Sequence, residues 1–154
     1  MQTAGILLLQ VLAVIPDSSK VVDFFAEDGV MELPYLASLG IDSRYQGHAR
    51  IKEFFGLVRD LYPDFGFKPN DIKILIDTPT QAFAEYTAHI QAAKTGRRVH
   101  HLFAGRLVAE GGKIKLLRES LNVLAAAQAL FLNGPLELPS PTDEIFSVPR
   151  GYVS

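Results

Sequence analysis

Hydrophobic side chains recur along this chain in three rhythms, and each rhythm predicts a different element. From Ile6 to Ile15 nearly every side chain is apolar (ILLLQVLAVI), and Pro16-Asp17 closes the run. The run is far shorter than the roughly 20 residues of a membrane span, and no charged side chain precedes Asp17 as a secretory leader would require. It therefore predicts a buried first helix, with a signal-peptide segment as the lesser alternative. Asp17 or Ser18 can cap a second helix running to Ala26 and stopped at Asp28-Gly29. Val30 to Leu33 then reads as a short strand ending at Pro34, and the polar and aromatic stretch 35–46 as a covering loop. After Gly47-His48, residues Ile51, Phe54, Phe55, Val58 and Leu61 fall at i, i+3, i+4, i+7 and i+10, the stripe of an amphipathic helix.

Beyond Tyr62-Pro63 the period drops to two. Ile72, Ile74 and Ile76 alternate with Lys73, Leu75 and Asp77, which predicts a half-buried strand. Thr78-Pro79, Lys94-Thr95-Gly96 and Glu110-Gly111-Gly112 are turn sequences separating strands at 82–92, 98–109 and 113–121. Connections this short imply an antiparallel meander. Residues 122–131 are Ala/Leu-rich and helical, and Asn133-Gly134-Pro135 stops them. Helices grouped ahead of antiparallel strands predict an α+β fold, with one domain at 1–134 and a proline-rich extended tail at 135–154.

Composition narrows the chemistry. The 154 residues carry 17 Asp and Glu against 15 Lys and Arg, a net charge of −2, so no basic stripe points to nucleic acid. The absence of cysteine removes disulfides, thiolate metal sites and cysteine nucleophiles together. The chain is expected to be cytoplasmic, and histidines, carboxylates, tyrosines and hydroxyls remain to do chemistry.

Strand parity sorts these groups. In 98–109, Arg98, His100 and Arg106 share one face and Val99, His101, Phe103 and Leu107 the other; the guanidinium groups belong outside, which turns His101 inward. A bulge would exchange His100 for His101. Glu119 shares its face with Leu117 and Leu121, where desolvation raises a carboxyl pKa toward neutrality. The alternative for Glu119 is an ion pair with its neighbour Arg118. In 82–92, Ala84, Tyr86, Ala88 and Ile90 form the more apolar face and would by themselves be taken as core, opposite Phe83, Glu85, Thr87 and His89.

The stretches VVDFFAEDGVMELP (21–34), YQGHARIKEFF (45–55) and GGKIKLLRESLNVLAAAQAL (111–130), in this order and spacing, resemble the SnoaL-like proteins of the nuclear transport factor 2-like superfamily. LYPDFGF (61–67) and Arg118-Glu119 followed by Asn122 are similar to the phenazine-biosynthesis A/B-type members. The resemblance implies a cone-shaped, curved mixed or antiparallel sheet wrapped around the N-terminal helices, enclosing an apolar pocket for a small apolar or aromatic ligand. It also implies a homodimer and an acid/base role for Glu119. Similarity to the steroid-isomerase branch turns Phe83, Glu85, Thr87 and His89 toward the pocket, against the parity reading above.

Glu119, His101, His89 and Glu85 are thus the expected catalytic set, a donor–acceptor cluster working without cofactor or metal. A two-histidine, one-carboxylate metal site is the lesser alternative. A non-catalytic binding or dimerisation module of the same fold is the competing function. Leu33 stands where the steroid-isomerase branch has its base, Phe103 or Ala104 where it has its second acid, and Phe54 near the phenazine-type histidine, so neither of those reactions is expected.

Overall fold

The computed structural model describes residues 2–139. Its first helix, α1 (Ala4–Val14), begins where Thr3 accepts a hydrogen bond from the Ile6 amide. Asp77, from a distant strand, also binds this end: its carboxylate accepts from the Gly5 amide at 2.8 Å and the Thr3 hydroxyl at 2.7 Å. A Cβ on Gly5 would meet that carboxylate at 2.6 Å, so glycine is needed for the approach. Leu7, Leu8, Val11 and Leu12 are buried.

The second helix is shorter than the sequence predicts. Asp17 caps a single turn, α2 (Ser18–Val21), which tightens into a 3-10 turn at Val22–Phe24. Phe25 then opens strand β1 (Phe25–Glu32) by pairing with Ile114, and the register shifts before Val30. A sheet partner for Phe25 overrides the local helical preference of residues 22–26. The covering stretch that follows holds a 3-10 helix (Pro34–Leu39) and a short strand, β2 (Arg44–Gln46).

Helix α3 (His48–Leu61) buries Ile51, Phe54 and Phe55 and packs Val58 and Leu61 against the core, as its stripe predicts. Burying a phenylalanine contributes roughly 2–3 kcal/mol, so this face is a main anchor of the helix. His48 at its start bonds the Phe25 carbonyl through Nε2 at 3.0 Å.

Strands β3 (Ile72–Asp77), β4 (Gln81–Gln91), β5 (Arg98–Glu110) and β6 (Lys113–Leu121) form the antiparallel meander. The six-stranded sheet has the order β2-β1-β6-β5-β4-β3, and β1 runs parallel to β6. It is a mixed, curved, unclosed sheet. Asn122 caps α4 (Val123–Leu130) by accepting from the Ala125 amide at 3.1 Å. Gly134–Glu137 forms a 3-10 turn; the rest of the expected proline-rich tail, 140–154, lies outside the described residues. Among the described residues no helix is long and apolar enough to cross a membrane.

Candidate active site

The inner face of the sheet is fixed by cross-strand partners. Ala84 lies opposite Gly105, Tyr86 opposite Phe103, and Ala88 opposite His101; on the other side of β5, Gly105 lies opposite Glu119 and Phe103 opposite Leu121. Ala84, Tyr86, His101, Phe103 and Glu119 are all buried. Glu85 and His89, one residue out of phase, are exposed on the outer face. The inward orientation expected for them is therefore corrected: the apolar alternation of β4 sets its parity, and Tyr86 goes in. His101 faces inward and His100 outward. Of the four expected residues, the fold brings two to the interior.

Above this face lies a cavity of about 60 Å³. Phe54, Phe55 and Val58 of α3 form one wall, Leu130 of α4 another, and Phe65 and Phe67 of the connection to β3 lean over it. Its floor comprises His101, Phe103, Glu119 and Leu121. Phe67 packs edge-on against both Tyr86 and Phe103, at 5.0 and 5.5 Å between ring centroids.

Glu119 is the carboxylate of this floor. It is 4% exposed, and its Oε2 accepts a hydrogen bond from the hydroxyl of Tyr86. Burial pushes its carboxyl up to about 7, while the bond from Tyr86 pulls in the opposite direction. Burial and the neighbouring Glu119 raise Tyr86 well above the ordinary phenol range, so Tyr86 keeps its proton and remains a donor. The bond reaches from β4 across β5 to β6. It is possible because Gly105 lies between, where a Cβ would collide with the phenol oxygen. Arg118 pairs on the outer face with Glu32, so the ion pair with Glu119 considered from sequence is replaced by a longer-range one.

His101 occupies the other end. It is 1% exposed, its Nε2 lies 3.5 Å from the Tyr62 hydroxyl, and its Nδ1 has no hydrogen-bond partner among the described residues. Burial lowers its pKa to about 4, helped by the charge of His100, so the ring is neutral near pH 7. His101 lies four positions before Gly105, the residue facing Glu119, which is roughly 13 Å along the strand. The two polar groups bound opposite ends of one apolar space.

Tyr86 and Gly105 are the site residues that sequence reasoning missed. A tyrosine on an apolar strand face reads as core, and its partner stands two strands away. The available signal was Gly105 itself, since glycine in a strand interior marks a close approach. Among the described residues, no three His, Asp or Glu side chains gather into a metal-holding group.

The SnoaL-like domain family matches residues 16–117. No curated protein matches the chain in sequence. Among solved structures, the chain is similar to a phenazine biosynthesis-related protein from Pseudomonas aeruginosa, with 20% identity and a TM-score of 0.69 over 98% of this chain and 92% of that one. It is similar to a nuclear transport factor 2-like protein of unknown function from Burkholderia pseudomallei, with 14% identity and a TM-score of 0.73 over 85% and 99% of the two chains. TerC, crystallised with polyporic acid, aligns at 16% identity and a TM-score of 0.64 over 80% and 95%. At these identities the likeness establishes the fold.

Proposed function

The chain belongs to the SnoaL-like domain family, and from that premise we propose that it is a cofactor-independent acid/base enzyme acting on a small apolar carbonyl or ring compound. Isomerase, dehydratase and polyketide-cyclase types of reaction all fit this description. The observation that carries the reading is Glu119: a buried carboxyl held by Tyr86 on the floor of an apolar cavity, with its pKa raised to about 7. A group poised there can accept and return a proton at neutral pH. The phenazine biosynthesis-related relative and the ligand carried by TerC support a ring compound as the substrate class.

In this reading the Glu119 carboxylate removes a proton from a carbon beside a carbonyl. The C–H electron pair moves into the carbonyl system, giving an enolate. The carboxyl then returns the proton to a different carbon or to the oxygen of a leaving hydroxyl. Tyr86 holds Glu119 in place and moderates its pKa, and neutral His101 with Tyr62 offers hydrogen bonds to the far end of the ligand. A cytoplasmic homodimer is part of the proposal. Leu75 and Ile76, exposed where edge strand β3 is bulged, offer apolar surface to a second copy. Sedimentation returning the monomer mass at micromolar concentration would remove that element.

The test is a panel of conjugated and unconjugated cyclic ketones and hydroxyquinones, followed by absorbance. Glu119→Gln keeps the shape and removes the base, and should lower any rate found by at least about 100-fold. An unchanged rate would overturn the assignment. The separation of Glu119 from His101 favours a second reading, a non-catalytic binding module. Under it, no panel member reacts, and Glu119→Gln binds the same hydroxyquinone as tightly as the parent chain.

A further inference from the structure

Two histidines outside the cavity form a pair of their own. His89 on β4 and His100 on β5 are directly opposed cross-strand partners, and both are exposed on the outer face of the sheet. Their rings lie 3.6 Å apart between centroids, tilted by 32°. We propose that His89 and His100 form a surface site for a divalent transition-metal ion of the copper, nickel or zinc type.

The chemistry follows from the placement. Neutral imidazole is a preferred ligand for these ions, and bonds of about 2.0–2.1 Å put two adjacent ligand nitrogens roughly 3 Å apart. Stacked in this way the rings hold their in-plane lone pairs side by side, and rotation of both rings about their side-chain torsions makes them converge on one ion. The paired strands hold the two backbones in register, so chelation orders only side chains. Along the same face the pair is flanked by Thr87 and Gln91 on β4 and by Arg98 and Leu102 on β5. The Arg98 guanidinium is turned to Gln91 Oε1 at 3.4 Å and to Asp64 at 3.9 Å. His101 follows His100 in sequence but faces the interior and takes no part. Among the described residues no third His, Asp or Glu completes a metal-holding group around the pair. Two protein nitrogens leave the remaining coordination positions to water, so the ion is exchangeable, and copper(II) should bind most tightly.

Calorimetric titration of the metal-free protein with copper(II), nickel(II) and zinc(II) chloride should give one ion per chain. His89→Ala and His100→Ala should each weaken binding at least tenfold, because one imidazole replaces a chelate, while His48→Ala leaves it unchanged. Nickel(II) should raise the thermal midpoint of the parent chain and of neither single variant, since the ion bridges two strands only in the folded state. Absence of binding up to millimolar metal would overturn the site. So would equal affinity in the parent chain and both variants, or a loss confined to one of them.

Discussion

Glu32 and Glu119 are buried to the same degree, 4% exposed each, and their surroundings are opposite. Glu32 sits on the outer side of β1 between two cations, with Arg44 at 2.8 Å and Arg118 bonded to its other oxygen. Glu119 sits on the inner side of β6 with the neutral phenol of Tyr86. Arg118 and Glu119 are consecutive, so strand alternation sends one side chain to each environment. Burial alone does not make a proton-transfer group. A buried carboxylate between guanidinium groups is a structural ion cluster, whereas one bonded only to a neutral donor beside an apolar cavity keeps the rise in proton affinity that burial imposes.

Four measurements would sharpen or break this contrast. The largest expected effect is on the cationic side. Among the described residues, Arg118→Ala leaves Glu32 paired with Arg44, whose side chain is 41% exposed. It should cost roughly 3 kcal/mol in urea unfolding, at the low end for a broken buried pair because both arginines are partly solvated. A loss below about 1 kcal/mol would make the two carboxylates energetically alike.

The pH dependence of stability comes next, and the two ends of the cavity have opposite signs. Folded Glu119 keeps its proton between about 4.5 and about 7, where the unfolded carboxyl has lost it. Stability therefore falls as pH rises through that window, by up to about 3 kcal/mol. Folded His101 stays neutral between 6.5 and about 4, where the unfolded ring gains a proton, so its contribution is lost as pH falls. The slopes largely cancel in the shared window. Glu119→Gln should leave stability rising from pH 4 to 6.5, and His101→Phe should leave it falling from 4.5 to 7. Parallel curves for both variants and the parent chain would deny the contrast.

Gly105→Ala should cost about 2 kcal/mol, because its methyl displaces the Tyr86 phenol from Glu119. The midpoint of denaturant unfolding measures it, and a neutral substitution would mean that the phenol lies elsewhere. The smallest effect is that of Tyr86→Phe, about 1 kcal/mol for one lost hydrogen bond. It removes the bond that lowers the Glu119 pKa, so carbon-13 carboxyl NMR should record an upward shift. A downward shift would contradict the assigned direction.

Much of this architecture was legible in sequence where one period dominates. The α3 stripe and the turn-separated strands are local patterns, and the structure reproduces them. The parity of β5 was legible because Arg98 and Arg106 mark the outer side. The parity of β4 was equally legible from its alanines and Ile90; the orientation that the family resemblance implies for Glu85 and His89 conflicts with that alternation, and the strand follows the alternation. The start of β1 was hidden because Ala26 to Gly29 looks like a helix end; only the distant Ile114 makes Phe25 a strand residue. The Glu32 cluster and the Tyr86–Glu119 bond were not legible for the same reason. Their members come from different strands, and no local pattern encodes which rows of the sheet are neighbours.

The missing side chain at Gly105 has a further consequence, for assembly of the sheet. The Tyr86–Glu119 bond skips over a whole strand, so it can close only when β4 has met β5 and β5 has met β6, each in the correct row. A slip of one residue in either pairing turns one partner to the wrong side of the sheet. The gap in the middle strand thus works as a gauge of alignment. Chains paired out of row lack the phenol–carboxyl contact, and with it the carboxyl on which the proposed chemistry depends.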